Sequence, residues 1–351
     1  MVNPDLVSKI YFGSGLTTLH YYFTSNWHIK NLEEFCAQLQ IFLYQNLPFG
    51  CFQAENYCDL LKSVQTTGDS MASGNNRGQL VIIGGAEDKE GDCKILREFL
   101  RCAGGTKARI VVMTAATSLP GEVGDDYIRI FERLGAEDVR VVDTQVPDDA
   151  NNPDYLEAIE QATGIFFTGG DQARIISCLK DTKLDAAMHK RYSEGIVIGG
   201  TSAGAAMMPD IMIIEGDSET NPRVDVVAMG PGMGFLPGVA IDQHFAQRGR
   251  LGRLVSALLL QPAVLGFGID ENTAILVSGD EFEVIGESAV TVIDESEKTH
   301  DNLEGLLKDE ALAVCGVKLH ILPHGYRFNL KTRQPVLNGK AATTQRETAM
   351  V

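Results

Sequence analysis

Basic residues are scarce in this sequence. Thirty lysines and arginines stand against 47 aspartates and glutamates, a formal charge of −17. A surface that neutralises phosphates needs the opposite balance, which argues against nucleic acid as a partner. No run of about 18 apolar residues occurs, so no membrane-spanning helix is expected. Cysteine is present but unpaired in pattern. The seven, at 36, 51, 58, 93, 102, 178 and 315, are odd in number and form no CxxC. That excludes a disulfide framework and a zinc site, and a reducing, cytoplasmic compartment is expected. Cys93, Cys102 and Cys178 fall in apolar helical patterns, where cysteine acts as a small hydrophobe. The N-terminus has no basic segment followed by an apolar core and a small-residue cleavage site, so no secretory signal is expected. Gly84-Gly85-Ala86 lacks the rest of G-x-G-x-x-G, which discounts a dinucleotide. Neither metal nor cofactor is expected. What remains is a chain of 351 residues, 44% hydrophobic and 22% charged, ordinary for a globular protein.

The chain divides near residue 77. Residues 1–77 form an N-terminal extension with Trp27, His20, His28 and three of the cysteines. Leu32, Phe35, Cys36, Leu39 and Phe42 recur at helical spacing, predicting one helix from Asn31 to Leu47. Thr66 to Gly78 is polar, rich in Gly, Ser and Asn, and reads as a linker. Met71 lies within it and could serve as an alternative start. Residues 78–351 form the catalytic domain. There, β-branched runs alternate with amphipathic segments: strands at 80–83, 108–113, 139–143, 164–168 and 196–198, and helices at 93–102, 127–134, 155–162, 172–179 and 203–208. This alternation predicts an α/β fold with a mostly parallel sheet flanked by helices. A strand is expected at 211–215 and a β-prone run stands at 224–229, and strands at 263–268, 274–277, 281–285 and 289–293 are expected to finish that sheet. A helix is expected from Phe245 to Leu260 and a strand from Val317 to Leu322.

Gly200-Thr-Ser-Ala-Gly204 fits G-x-S-x-G between an apolar strand and a helical run. In that context Ser202 stands on a tight turn as a nucleophile, and the Ala203 N–H faces the developing oxyanion. Serine needs a base. Of the seven histidines, His244 sits where a strand-like run ends and a helix begins, unlike His20, His28, His189, His300, His320 and His324. For the acid behind it, Asp217 and Glu219 lie in the loop between Ser202 and His244, and Glu271 follows a strand end. Glu219 is the expectation. Thr168-Gly-Gly-Asp-Gln172 ends another strand, where Gly170 could supply a second oxyanion donor and Gln172 would face the crevice. Gln247-Arg-Gly-Arg-Leu-Gly-Arg253 gathers three arginines near His244. They suit either a carboxylate-bearing substrate or a salt-bridge network.

These segments together resemble the cyanophycinase branch of the S51 serine peptidase family, which also holds aspartyl dipeptidases. The likeness is carried by Val81–Asp88, Phe166–Gln172, Gly199–Ala205, Pro231–Gly238, Asp242-Gln-His-Phe245, Gln247–Arg253 and Gly268–Thr273, in order. The resemblance implies a fold like class I glutamine amidotransferases (flavodoxin-like) and a homodimer. It implies cyanophycin, a poly-aspartate with arginine on each β-carboxyl, as substrate, cleaved to β-Asp-Arg dipeptides. It carries over Ser202 and His244 as catalytic, and Gln172, Asp242, Gln243, Arg248, Arg250, Arg253 and Glu271 as pocket lining. Rival readings are an aspartyl or isoaspartyl dipeptidase and a non-catalytic binding protein. A glutaminase of the amidotransferase type would expect cysteine at position 202.

Overall fold

The structure, a computed structural model, describes residues 77–337. The expected helix from Asn31 to Leu47, Met71 and all but the end of the linker lie outside the described residues.

The parallel half of the fold follows from the apolar runs. Strands β1 (Leu80–Ile83), β2 (Arg109–Met113), β3 (Asp138–Val142), β4 (Gly164–Phe167) and β5 (Val197–Thr201) alternate with helices. These are α1 (Lys94–Cys102), α2 (Pro120–Leu134), α3 (Pro153–Gln161), α4 (Gln172–Leu179) and α5 (Lys183–Ser193), and α6 (Ala203–Ala206) follows β5. Every residue of β1, β4 and β5 is buried. In β1, Leu80 and Ile82 join one core cluster while Val81 and Ile83 join another. A strand covered on both faces reads as a continuous apolar run, which is how these strands look in the sequence. Each fully buried Leu, Ile or Phe contributes about 1.5–3 kcal/mol. Helix α2 starts earlier than its apolar spacing suggested, because Pro120 occupies its first turn, where a missing N–H costs nothing.

The second half departs from the expectation of one mostly parallel sheet. Among the described residues, strands β6 (Ile211–Gly216) and β7 (Val227–Pro231) pair only with each other. Next come β8 (Val239–Gln243), α7 (Leu251–Leu260) and β9 (Leu265–Ile269). They are followed by β10 (Thr273–Ser278), β11 (Glu281–Gly286) and β12 (Ala289–Asp294). The short pair β13 (His300–Asp301) and β14 (Val314–Cys315) precedes β15 (Lys318–Pro323), β16 (Arg327–Asn329) and β17 (Gln334–Val336). The large sheet is mixed and has the order β17-β16-β11-β10-β1-β5-β4-β2-β3. Its β1, β5, β4, β2 and β3 run parallel, and β10 continues it antiparallel to β1. Strands β9 and β12 do not finish this sheet; they belong to a second one, β15-β12-β9-β8. The reason is pairing rather than composition: β8 and β9 are joined through α7 as a parallel unit, and that unit needs its own partner, β12. The expected helix from Phe245 begins only at Leu251, because Gly249 has positive φ and breaks the run.

Among the described residues, no helix is long and apolar enough to cross a membrane.

Candidate active site

Ser202 follows β5 directly and has φ 53° and ψ −108°. A non-glycine residue held there is strained by about 1–3 kcal/mol, so its surroundings must impose it. They do so by close approach. A Cβ on Gly200 would overlap the Gly204 carbonyl, and one on Gly204 would overlap the backbone and side chain of Phe167. The Ser202 N–H donates to the Ile83 carbonyl at 3.0 Å, tying the turn to the end of β1. Ala203 opens α6, so its N–H has no partner one turn earlier in the helix. Gly169, at the end of β4, packs against Ser202.

The partner of Ser202 arrives from the other sheet. His244 follows β8, has φ 48°, and its N–H donates to the Gly84 carbonyl at 2.8 Å. Its Nε2 lies 3.0 Å from Ser202 Oγ, and its Nδ1 lies 2.6 Å from Glu271 Oε1. With Nδ1–H donating to the carboxylate, Nε2 is left as the acceptor facing the hydroxyl. An imidazole so oriented can take the serine proton and return it to a leaving group. Gly85 backs the ring: φ is +99°, and a Cβ there would fall on the imidazole.

Glu271 and not Glu219 holds His244, which corrects the sequence expectation. The Glu219 N–H is bonded to the Gly249 carbonyl, and the residue lines a groove with Leu251, Val317 and Leu319. Asp217 faces Arg223 at 3.9 Å. The physical reason is strand register. In the parallel β8–β9 pair Gln243 stands opposite Ile269, so the residues just past these strands come side by side. Glu271 is then fixed by a bond from its N–H to Gln247 Oε1 at 3.0 Å.

Most of the charged segment turns inward. Arg253 Nε donates to Asp242 Oδ2 at 2.8 Å, its Nη2 donates to Oδ1, and its Nη1 donates to the Gly216 carbonyl at 2.9 Å. Arg250 Nη1 donates to the Gln243 carbonyl at 2.6 Å and to Gln243 Oε1 at 2.9 Å. All four side chains are buried, Asp242 to 1% exposure. These groups bond one another, and Arg253 and Arg250 also reach the turn at Gly216 and Ser218. Arg248 differs: it is exposed and lies near enough to His244 to act on its charge. Gln172 is half-buried, with its amide donating to the Ile213 carbonyl at 3.0 Å and to the Ile214 carbonyl.

Burial pushes the His244 imidazole below its ordinary value. The Glu271 carboxylate pulls it back up, and Arg248 and Arg250 push it down further. The net direction is downward, which keeps the ring neutral and able to accept a proton at neutral pH.

Sequence reasoning missed the part played by Gly85. A glycine pair after a first strand looks like a turn until the ring that lies against it is known.

The description "Peptidase family S51" matches residues 80–285. A cyanophycinase of Geminocystis herdmanii is 43% identical over 74% of this chain and 96% of its own length. A cyanophycinase of Trichormus variabilis is 41% identical over 72% of this chain and 86% of its own. A peptidase E of Nostoc sp. is 23% identical over 58% of this chain and 84% of its own. On these matches, the chain belongs to peptidase family S51.

Proposed function

We propose that this chain is a serine exopeptidase that hydrolyses cyanophycin to β-Asp-Arg dipeptides through an acyl-enzyme on Ser202. The observation that carries the reading is the Ser202–His244–Glu271 chain of hydrogen bonds, in relatives' company at 41–43% identity that bear the name cyanophycinase. In this mechanism His244 Nε2 takes the Ser202 proton as Oγ attacks an aspartyl peptide carbonyl. The oxyanion rests on the N–H groups of Ala203 and Gly170. His244 then protonates the leaving amine, and water, deprotonated by the same imidazole, releases the acyl group. Glu271 holds the tautomer throughout. Arg248, exposed beside His244, is suited to a substrate carboxylate, and Gln172 to a neighbouring amide. The enzyme is proposed to act as a cytoplasmic homodimer.

The test is incubation of the purified full chain with cyanophycin and mass analysis of the products. Release of the Asp-Arg dipeptide is expected. Free arginine would instead mean side-chain hydrolysis and would overturn the reading. The peptidase E relative supports a second reading, a dipeptidase for short aspartyl peptides. Cleavage of Asp dipeptides with the polymer left intact would favour it.

A further inference from the structure

Beneath the nucleophile turn lies a carboxylate that the proposed mechanism does not use. Glu87 sits in the loop between β1 and α1 and is only 5% exposed. Its Oε2 accepts from Thr201 Oγ1 at 2.5 Å, and its Oε1 accepts from the Tyr127 hydroxyl at 2.5 Å. Thr201 is the last residue of β5 and immediately precedes Ser202. Tyr127 is on α2, stacked among Phe131 and Phe166, so the far end of the bond is set in the aromatic core. Burial and the neighbouring carboxylate push the Tyr127 phenol well up, keeping it a donor. Lys89 Nζ lies 3.5 Å from Glu87 Oε1 and 4.5 Å from the Tyr127 ring centroid, supplying the opposite charge.

The same loop reaches the other side of the site. Asp88 N–H donates to Asn272 Oδ1 at 2.9 Å, and Asn272 N–H donates to the Gly85 carbonyl at 2.9 Å. Asn272 follows Glu271. One loop of the chain therefore ties the residue before the nucleophile, the glycine behind the base, and the residue after the acid. A buried carboxylate is costly unless it is partnered, and Glu87 accepts its bonds from Thr201 and Tyr127, one of which is the residue before the nucleophile.

We infer that Glu87 is a positioning residue for the reaction: acting through the Thr201 hydroxyl, it holds the strained Ser202 turn at the distance from His244 that proton transfer requires. The inference rests on Ser202 being the nucleophile. It does not depend on which polymer or peptide is the substrate.

The experiment uses the full chain with Glu87→Gln, Thr201→Val, the double variant and Thr201→Ser. Two readouts are taken: the rate of covalent labelling of Ser202 by a fluorophosphonate probe, and kcat and KM on cyanophycin. Thr201→Val replaces the hydroxyl by a methyl of similar size and should lower the labelling rate and kcat about ten- to a hundredfold, with KM unchanged. Glu87→Gln should do the same, and the double variant should be no slower than the worse single one, because both act on one bond. Thr201→Ser should restore the rate. If Glu87→Gln does not fold, Thr201→Val alone decides. A folded Thr201→Val with normal labelling and kcat would overturn the inference, as would multiplying losses in the double variant. Wild-type protein that labels at Ser202 but leaves cyanophycin intact would sink the substrate reading and leave the labelling test standing.

Discussion

At the ends of β1, β4 and β5 main chains meet closely around Ser202, with Glu87 bonded behind the turn through Thr201, whereas at the ends of β8 and β9 charged side chains gather around His244. On the first side, Gly200, Gly204 and Gly169 let main chains touch around Ser202. On the second, Asp242, Arg250 and Arg253 form a buried ionic cluster beside His244, and Glu271 is held by Gln247. The contrast has a physical logic. A strained serine turn needs glycines that let main chains approach closely, while a base must be oriented by a hydrogen-bonded partner. Both sides are assembled from distant parts of the chain: the Ser202 turn is bonded to Ile83, and Glu271 lies 27 residues from His244.

The comparison can be broken at several points. On the serine side, Ser202→Ala should lower kcat on cyanophycin roughly a millionfold while leaving the fold intact, checked by circular dichroism. On the ionic side, Asp242→Asn leaves Arg253 without its carboxylate and should cost about 3–5 kcal/mol of stability, read from the urea midpoint. A stability loss near zero, with KM raised, would show that Asp242 meets substrate instead. At the seam, Gly85→Ala drives a methyl into the imidazole and should cost about a hundredfold in kcat. The smallest effect concerns charge. His244 must be neutral to accept the serine proton, and its value lies below the ordinary one, so activity should hold at neutral pH and fall only on further acidification. Arg248 contributes to that lowering. Arg248→Gln should move the acidic limb of the kcat/KM profile upward.

Legibility in the sequence follows the same division. The five parallel strands, helix α4 and the Ser202 turn are written as apolar runs punctuated by glycine, and they stand where that pattern puts them. The position of His244 past a strand was legible too. The acid was not. Asp217, Glu219 and Glu271 lie at similar separations from His244 along the chain, and nothing local marks Glu271 as its neighbour. Only the parallel pairing of β8 with β9 brings the two together, and strand pairing is a choice of partner that composition does not encode. The arginine segment left two readings open, a carboxylate-bearing substrate or a salt-bridge network, and the ion pairs of Arg250 and Arg253 with Asp242 show the second in part. The second sheet was invisible because β9 and β12 are as β-prone as the strands that do complete the first.

The account stands most directly on which carboxylate serves the base. Glu271→Gln and Glu219→Gln should be assayed side by side on cyanophycin, with kcat and the mass of the products recorded. Glu271→Gln is expected to lose about ten-thousandfold in kcat, and Glu219→Gln to stay close to the unaltered chain. The reverse pattern, with Glu219→Gln inactive and Glu271→Gln competent, would contradict Glu271 as the carboxylate that serves His244.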